Sequence, residues 1–301
     1  MDKKTKRWLI TAAVLIFLGS ILIGGAFLLL SGNFSKLSTT EWETNSYPIS
    51  EDFKNISITG DTADIVFVPS KSGSTIVCYE EPNAKHTVSV KEGTLVIELA
   101  DNRTWYDYIG IHFGTPTITL QIPQREYGHL SIHSSTGNVE LPEGYRFAAV
   151  DISVSTGNIT VNDLVTQNLS LSVSTGQIAA QKIACEETFQ LRVSTGKSEL
   201  TDIQCKNLIS AGNTGDLTLR NVVAAETISL VRTTGDIRFD RCDAQEISAK
   251  TNTGDVTGTL LTEKIFSLQT GTGKITVPQT ATGGKCNITT STGNITLQIV
   301  P

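Results

Sequence analysis

The chain is poor in charge, in rings and in methionine. Of 301 residues, charged side chains make up 18% and aromatic ones 6%, and Met occurs once. That scarcity, beside a Ser, Thr, Asn and Gln content near one third, argues against a helix bundle and for short strands joined by turns. Five cysteines in a chain of this length are too few and too scattered for a disulfide-stapled miniature fold. Acidic residues outnumber basic ones, 30 against 24, so the basic footprint that nucleic acid requires is missing.

One long hydrophobic run is present. Lys3, Lys4, Lys6 and Arg7 precede an uncharged stretch of 23 residues from Trp8 to Leu30. As a helix it would be roughly 34 Å long, against a hydrocarbon core of about 30 Å. No small-residue cleavage site follows Leu30, so the stretch reads as a signal anchor that stays attached rather than a removed leader. The four basic residues predict a cytoplasmic tail over residues 1–7, a transmembrane segment over 8–30 and an extracytoplasmic remainder. With +3 on the tail, everything beyond the span carries −9. Residues 31–50 lack apolar periodicity and read as a polar spacer.

A Thr-Gly pair then recurs at Gly137, Gly157, Gly176, Gly196, Gly215, Gly235, Gly254, Gly273 and Gly293, always 19 or 20 residues apart. Such a period marks a solenoid, in which each coil buries its apolar face by stacking on the next. Apolar residues alternate before each Gly and recur two and four residues after it, as at Ile159/Val161 and Leu217/Leu219, so the coils are made of strands. A further apolar position lies seven residues after the Gly: Leu164, Ile183, Ile203, Val222, Cys242 and Leu261. Asp163, Asp202 and Asn221 just before three of these read as turn residues. The expected fold is an all-β parallel solenoid, right-handed by the crossover rule, with repeats over residues 129–301. Residues 51–128 are β but irregular. They include a hairpin around Lys91-Glu92-Gly93 and are expected to cap the open sheet edge. At the other end Ile295–Val300 is expected to be the bare last coil.

These features resemble a known family. The N-terminal anchor, the opening IxITGDTADIxFVPS segment, the HTVSVKEGTLVIEL hairpin and the serial STGNI, STGQI, NTGDL and TTGDI coils are similar to the bacterial β-strand-repeat envelope proteins labelled "putative adhesin". The resemblance covers about residues 50–301 and implies the solenoid fold and an envelope setting. It carries over no activity, because the family is of unknown function.

Chemistry-bearing patterns are sparse. The residues after the repeat glycines are all polar, including Asp216, Asp236 and Asp255, and read as a solvated turn ladder. His129 and His133 share a strand face about 13 Å apart, too far to chelate one metal. The STG triplet is a repeated turn, whereas a catalytic Ser would be singular. Arg192, Arg232 and Lys250 precede their glycines by three or four residues and are expected on a solvated sheet face with no carboxylate pair suited to glycoside hydrolysis. Cys185 and Cys205 fall in neighbouring coils at disulfide range, but in-register neighbours seldom offer good torsions, which favours free core thiols. The aromatic segment with Trp105, Tyr106, Tyr108 and Phe113 is either a partner-binding rim or, as expected here, a hydrophobic cap. No catalytic residue, metal set or cofactor motif is read. The expected function is a non-enzymatic, membrane-anchored protein that binds or senses a wall glycan or a membrane protein. A polysaccharide-active enzyme and a passive spacer are the alternatives.

Overall fold

The computed structural model describes residues 2–29, 40–105, 107 and 114–300. Helix α1 (Lys3–Leu29) is the one helix among them long and apolar enough to cross a membrane. Its Trp8, Ile16 and Leu22 side chains are exposed, as a helix made for hydrocarbon would leave them in water.

Strands β1 (Glu43–Ile49), β2 (Asn55–Thr62), β3 (Asp64–Pro69), β4 (Ser74–Glu80), β5 (Ala84–Lys91), β6 (Thr94–Asp101) and β7 (Thr117–Ile122) form the N-terminal end. The coil made by β2 and β3 is interior: it stacks in parallel on β6 and β7 on one side, and on β8 (Glu126–Thr136) and β9 (Val139–Leu141) on the other. Beyond β6 and β7 the pairing turns antiparallel, through β5 on one sheet and through β4 and then β1 on the other. The expected hairpin is β5–β6, with Glu92 and Gly93 both at positive φ (49° and 71°) as a type I′ turn requires. Strand β1 lies in the stretch expected to be spacer. Only its Tyr47 and Ile49 touch the core, too little apolar content to show as periodicity.

From β10 (Arg146–Thr156) the coils repeat through β11 (Ile159–Thr175), β12 (Ile178–Thr195), β13 (Ser198–Thr214) and β14 (Leu217–Thr234), all parallel. Equivalent residues stack in columns such as Ile159, Ile178, Ser198, Leu217 and Ile237. The solenoid has about nine turns. Each repeat glycine has φ between +126° and +152°, and a Cβ there would lie 1.6–2.2 Å from a carbonyl oxygen of the adjoining coil. No L-residue fits such a corner. The opposite corner is a left-handed residue, with φ 50–56° at Asp163, Lys182, Asp202, Asn221 and Arg241. The turn reading of Asp163, Asp202 and Asn221 therefore holds, and Lys182 and Arg241 take the same conformation.

The C-terminal end departs from the linear repeat. After β15 (Ile237–Cys242), β16 (Glu246–Thr253) and β17 (Val256–Leu260), the chain skips one position to build β18 (Lys264–Thr272) and β19 (Ile275–Thr276). It then returns, and β20 (Gly284–Thr292) and β21 (Ile295–Ile299) slot between, pairing in parallel with β16 and β17 on one side and with β18 and β19 on the other. The bare last coil is thus not Ile295–Val300: Ile295 and Leu297 are fully buried, while Ile265 and Ile275 at the true edge are about half exposed. Lys264, itself buried, fixes the skip by donating from Nζ to the Asp243 carboxylate and the Thr262 hydroxyl. Leu261, expected in the core, is only half-buried. Leu260 pairs with Cys242 and takes the core position, because this coil has no counterpart of the left-handed corner residue Arg241.

Candidate functional site

The polar ladder beside the repeat glycines is more than solvated turn. Asn138 Oδ1 accepts the Asn158 N–H at 3.1 Å, Asp216 Oδ1 that of Asp236 at 3.0 Å, Asp236 Oδ1 that of Asp255 at 2.8 Å and Asp255 Oδ1 that of Asn294 at 2.7 Å. A short side-chain acceptor at this position satisfies a backbone donor of the neighbouring coil. This explains why successive Asp residues tolerate stacking.

A shallow groove of about 500 Å³ crosses successive coils of β11 to β14, with Val165, Ala184, Gln204 and Ala225 along it and Glu186 and Lys206 beside them. Cys185 and Cys205 lie at its floor, side by side in register, buried and unbridged. Burial pushes the Cys205 thiol up to about 12. All five cysteines are free and buried.

Arg232 is not on a solvated face. It lies three residues before Gly235, the register occupied by Val173 and Val193, and only 3% of it is exposed. Its Nη2 donates to Ser210 Oγ at 2.9 Å, with Ser198 Oγ at 3.5 Å, and Nη1 donates to the Val231 carbonyl. Residues three and four before a glycine point to opposite faces, so Arg192 is outward where Arg232 is inward. Burial lowers the Arg232 pKa to about 10.

The most concentrated chemistry is in the N-terminal cap. The two-residue period of β4 turns both Cys78 and Glu80 inward, and after the turn closed by Ala84 N–H to Glu81 C=O, β5 brings His86 alongside. All three are buried, at 0%, 0% and 3% exposure. Glu80 Oε2 accepts the His86 backbone N–H at 2.6 Å and faces His86 Nδ1 at 2.7 Å, and Oε1 accepts from Asn45 Nδ2 at 2.8 Å. Tyr47 OH donates to the His86 carbonyl at 3.1 Å. Burial, and then the Glu80 charge, push the Cys78 thiol up to about 12.

His86 also lines a cavity of about 170 Å³ with Trp42, Thr62, Glu81, Arg103 and Gly114. Trp42 stacks on Tyr79 with centroids 5.0 Å apart, and a Cβ at Gly114 (φ +138°) would strike the indole at 2.7 Å. Trp42 Nε1 and His86 Nε2 are enclosed without a hydrogen-bond partner among the described residues. Arg103 forks onto Asp101 through Nε and Nη2, at 2.9 and 2.7 Å. Of the aromatic segment singled out in the sequence, Trp105 is 75% exposed, and Tyr106, Tyr108 and Phe113 lie outside the described residues. Trp42, Cys78, Glu80 and His86 had no sequence signal as a set, because what joins them is burial under the chain around β1, which the local spacing does not show.

The model of the Toastrack DUF4097 family matches residues 53–298, from the first buried residue of the cap into the interposed last strand. The chain belongs to that family. A crystal structure described as a putative adhesin from Bacteroides fragilis is 14% identical to this Toastrack chain, covers 87% of it and 99% of itself, and has a TM-score of 0.44. One described as a putative lipid binding protein from Parabacteroides distasonis is 16% identical over 86% of this chain and 98% of its own, with a TM-score of 0.39. Another, described as a putative adhesin from Parabacteroides merdae, is 14% identical over 88% and 98%, with a TM-score of 0.28. No curated protein matches the Toastrack chain.

Proposed function

We propose that this Toastrack protein is a membrane-anchored envelope protein whose solenoid stands outside the membrane and binds or senses an envelope component without catalysing a reaction on it. The observation that carries the reading is the joining of one membrane-length helix, preceded by four basic residues, to a long acidic β-rod. Positive charge before the span favours a cytoplasmic N-terminus, and α1 then remains as the anchor. The groove across β11 to β14 presents small apolar side chains between charged ones, a lining suited to contact. Among the described residues, the one cluster of potential metal ligands is sealed inside the cap rather than placed on the groove. The wall glycan or a membrane-protein neighbour is the expected partner class.

The test is protease added to intact cells that carry a C-terminal epitope tag. Loss of the tag without lysis supports the orientation, and protection until lysis reverses it. Pull-down with purified wall glycan and with detergent-solubilised membranes then separates binding from a passive spacer, which would retain neither.

A further inference from the structure

We propose that Cys78, Glu80 and His86 form a zinc site inside the N-terminal cap. Each offers a donor atom, and the three atoms lie within 4.8 Å of one another. Zinc bound at the usual 2.0–2.3 Å to sulfur, imidazole and carboxylate in a tetrahedron sets donors about 3.4–3.6 Å apart. Glu80 Oε2 and His86 Nδ1, now 2.7 Å apart, need to part by about 0.7–0.9 Å to admit the ion. The spacing along the chain, two residues and then six, is set by β4 and the turn into β5, which belong to different sheets and meet at the Glu81–Ala84 bridge, so the site sits where the two sheets of the cap come together.

Three further observations favour a cation. Glu80, Glu81, Asp101 and Asp61 outnumber Arg103 and His86 around the cluster, so the local charge is negative. His86 Nε2 faces the cavity with no partner among the described residues, which leaves its N–H to a cavity water while Nδ1 binds the ion. Asn45 and Tyr47 already hold the Glu80 carboxylate and the His86 backbone from behind, as an outer shell holds metal ligands. The donor set of one thiol, one imidazole and one carboxylate suits zinc and not calcium or magnesium, which prefer oxygen alone. Three protein ligands leave the fourth tetrahedral position to a water molecule.

Binding is proton-balanced. Cys78 loses its thiol proton and the pair of Glu80 and His86 loses the one it shares, both to solvent, and two anionic ligands then neutralise the dication. A thiol held up near 12 by burial stays protonated without the metal and is deprotonated by it.

The experiment uses the full chain in detergent, stripped with chelator under reducing conditions and titrated with cobalt and with zinc. One equivalent of cobalt is expected to give the sulfur-to-cobalt charge-transfer band, bleached by zinc, and zinc is expected to raise the melting temperature. Cys78→Ser is expected to abolish the band. His86→Gln and the near-isosteric Glu80→Gln should weaken binding by at least the about 100-fold that loss of an outer-shell partner can reach. Cys286→Ser, at a buried thiol in a distant coil, should leave it unchanged. Absence of the band in the wild type, or a band that survives Cys78→Ser, overturns the proposal. If Cys78→Ser fails to fold, Glu80→Gln decides: unaltered affinity there overturns it as well.

Discussion

Replacing Gly196 by Ala should cost this protein about 2–6 kcal/mol, although the change adds a single methyl group to a surface corner. The residue has φ +139°, a region that strains an L-residue by about 1–3 kcal/mol. The added Cβ would sit 1.6 Å from the Gly176 carbonyl oxygen and 2.7 Å from its carbon, both backbone atoms that no rotamer change can move. Relief beyond 3.0 Å requires the two coils to separate locally. The hydrogen bonds that bridge that gap, Gly176 N–H to the Thr195 carbonyl at 3.0 Å and Ile178 N–H to that of Lys197 at 3.1 Å, then stretch or break. At about 0.5–1.5 kcal/mol each they supply the rest. Gly60→Ala is the matched control. It lies in the interior coil of β2 and β3, paired with Ser134 three residues before the Gly137 corner, has no positive φ, and its Cβ would meet nothing within 4 Å, so it should stay within about 0.5 kcal/mol of wild type. Urea unfolding of the detergent-solubilised chain, followed by far-ultraviolet circular dichroism, reads both. A Gly196→Ala midpoint equal to that of Gly60→Ala would refute the idea that the carbonyl stack excludes every side chain from this corner.

Ile295→Ala should cost about 2–5 kcal/mol as a core truncation, whereas Ile275→Ala, at the same place in the sequence repeat but 44% exposed, should cost less than about 1 kcal/mol; equal losses in urea titrations would mean that the last two coils stack in chain order. Arg232→Met should be neutral or stabilising by up to about 3 kcal/mol, because it removes a buried cation that faces two Ser hydroxyls and no carboxylate. With the folded pKa lowered towards 10, the unfolded chain holds more protons from there to the ordinary guanidinium value. The penalty is therefore complete below about pH 10 and fades above it, so a gain that grows with rising pH contradicts the assignment. All five thiols should be silent to a thiol reagent at pH 8 in the native protein and react fully on denaturation; fast native reaction of Cys185 or Cys205 would show that the groove floor opens.

The sequence alone determined the coil. A glycine every 19 or 20 residues, with apolar residues two and four places after it, leaves only a stack of strands able to bury that stripe, and from β10 to β14 the predicted columns are the observed ones. The helix over residues 3–29 and the β5–β6 hairpin were equally legible, because a long apolar run and a Glu-Gly turn are local signals. What the sequence left undecided was stacking order and side-chain direction at exceptions. Ile275 and Ile295 follow their glycines identically, and only the competition for the Val256 edge decides which is buried. Arg232 is inward because Ser198, Ser210 and Gly212 leave room for it, a fact spread over neighbouring coils. The cap cluster is the extreme case. Cys78, Glu80 and His86 are ordinary residues in two short strands until the antiparallel edge folds them over Asn45, Tyr47 and Trp42, and burial, which is a tertiary property, turns three side chains into one polar site.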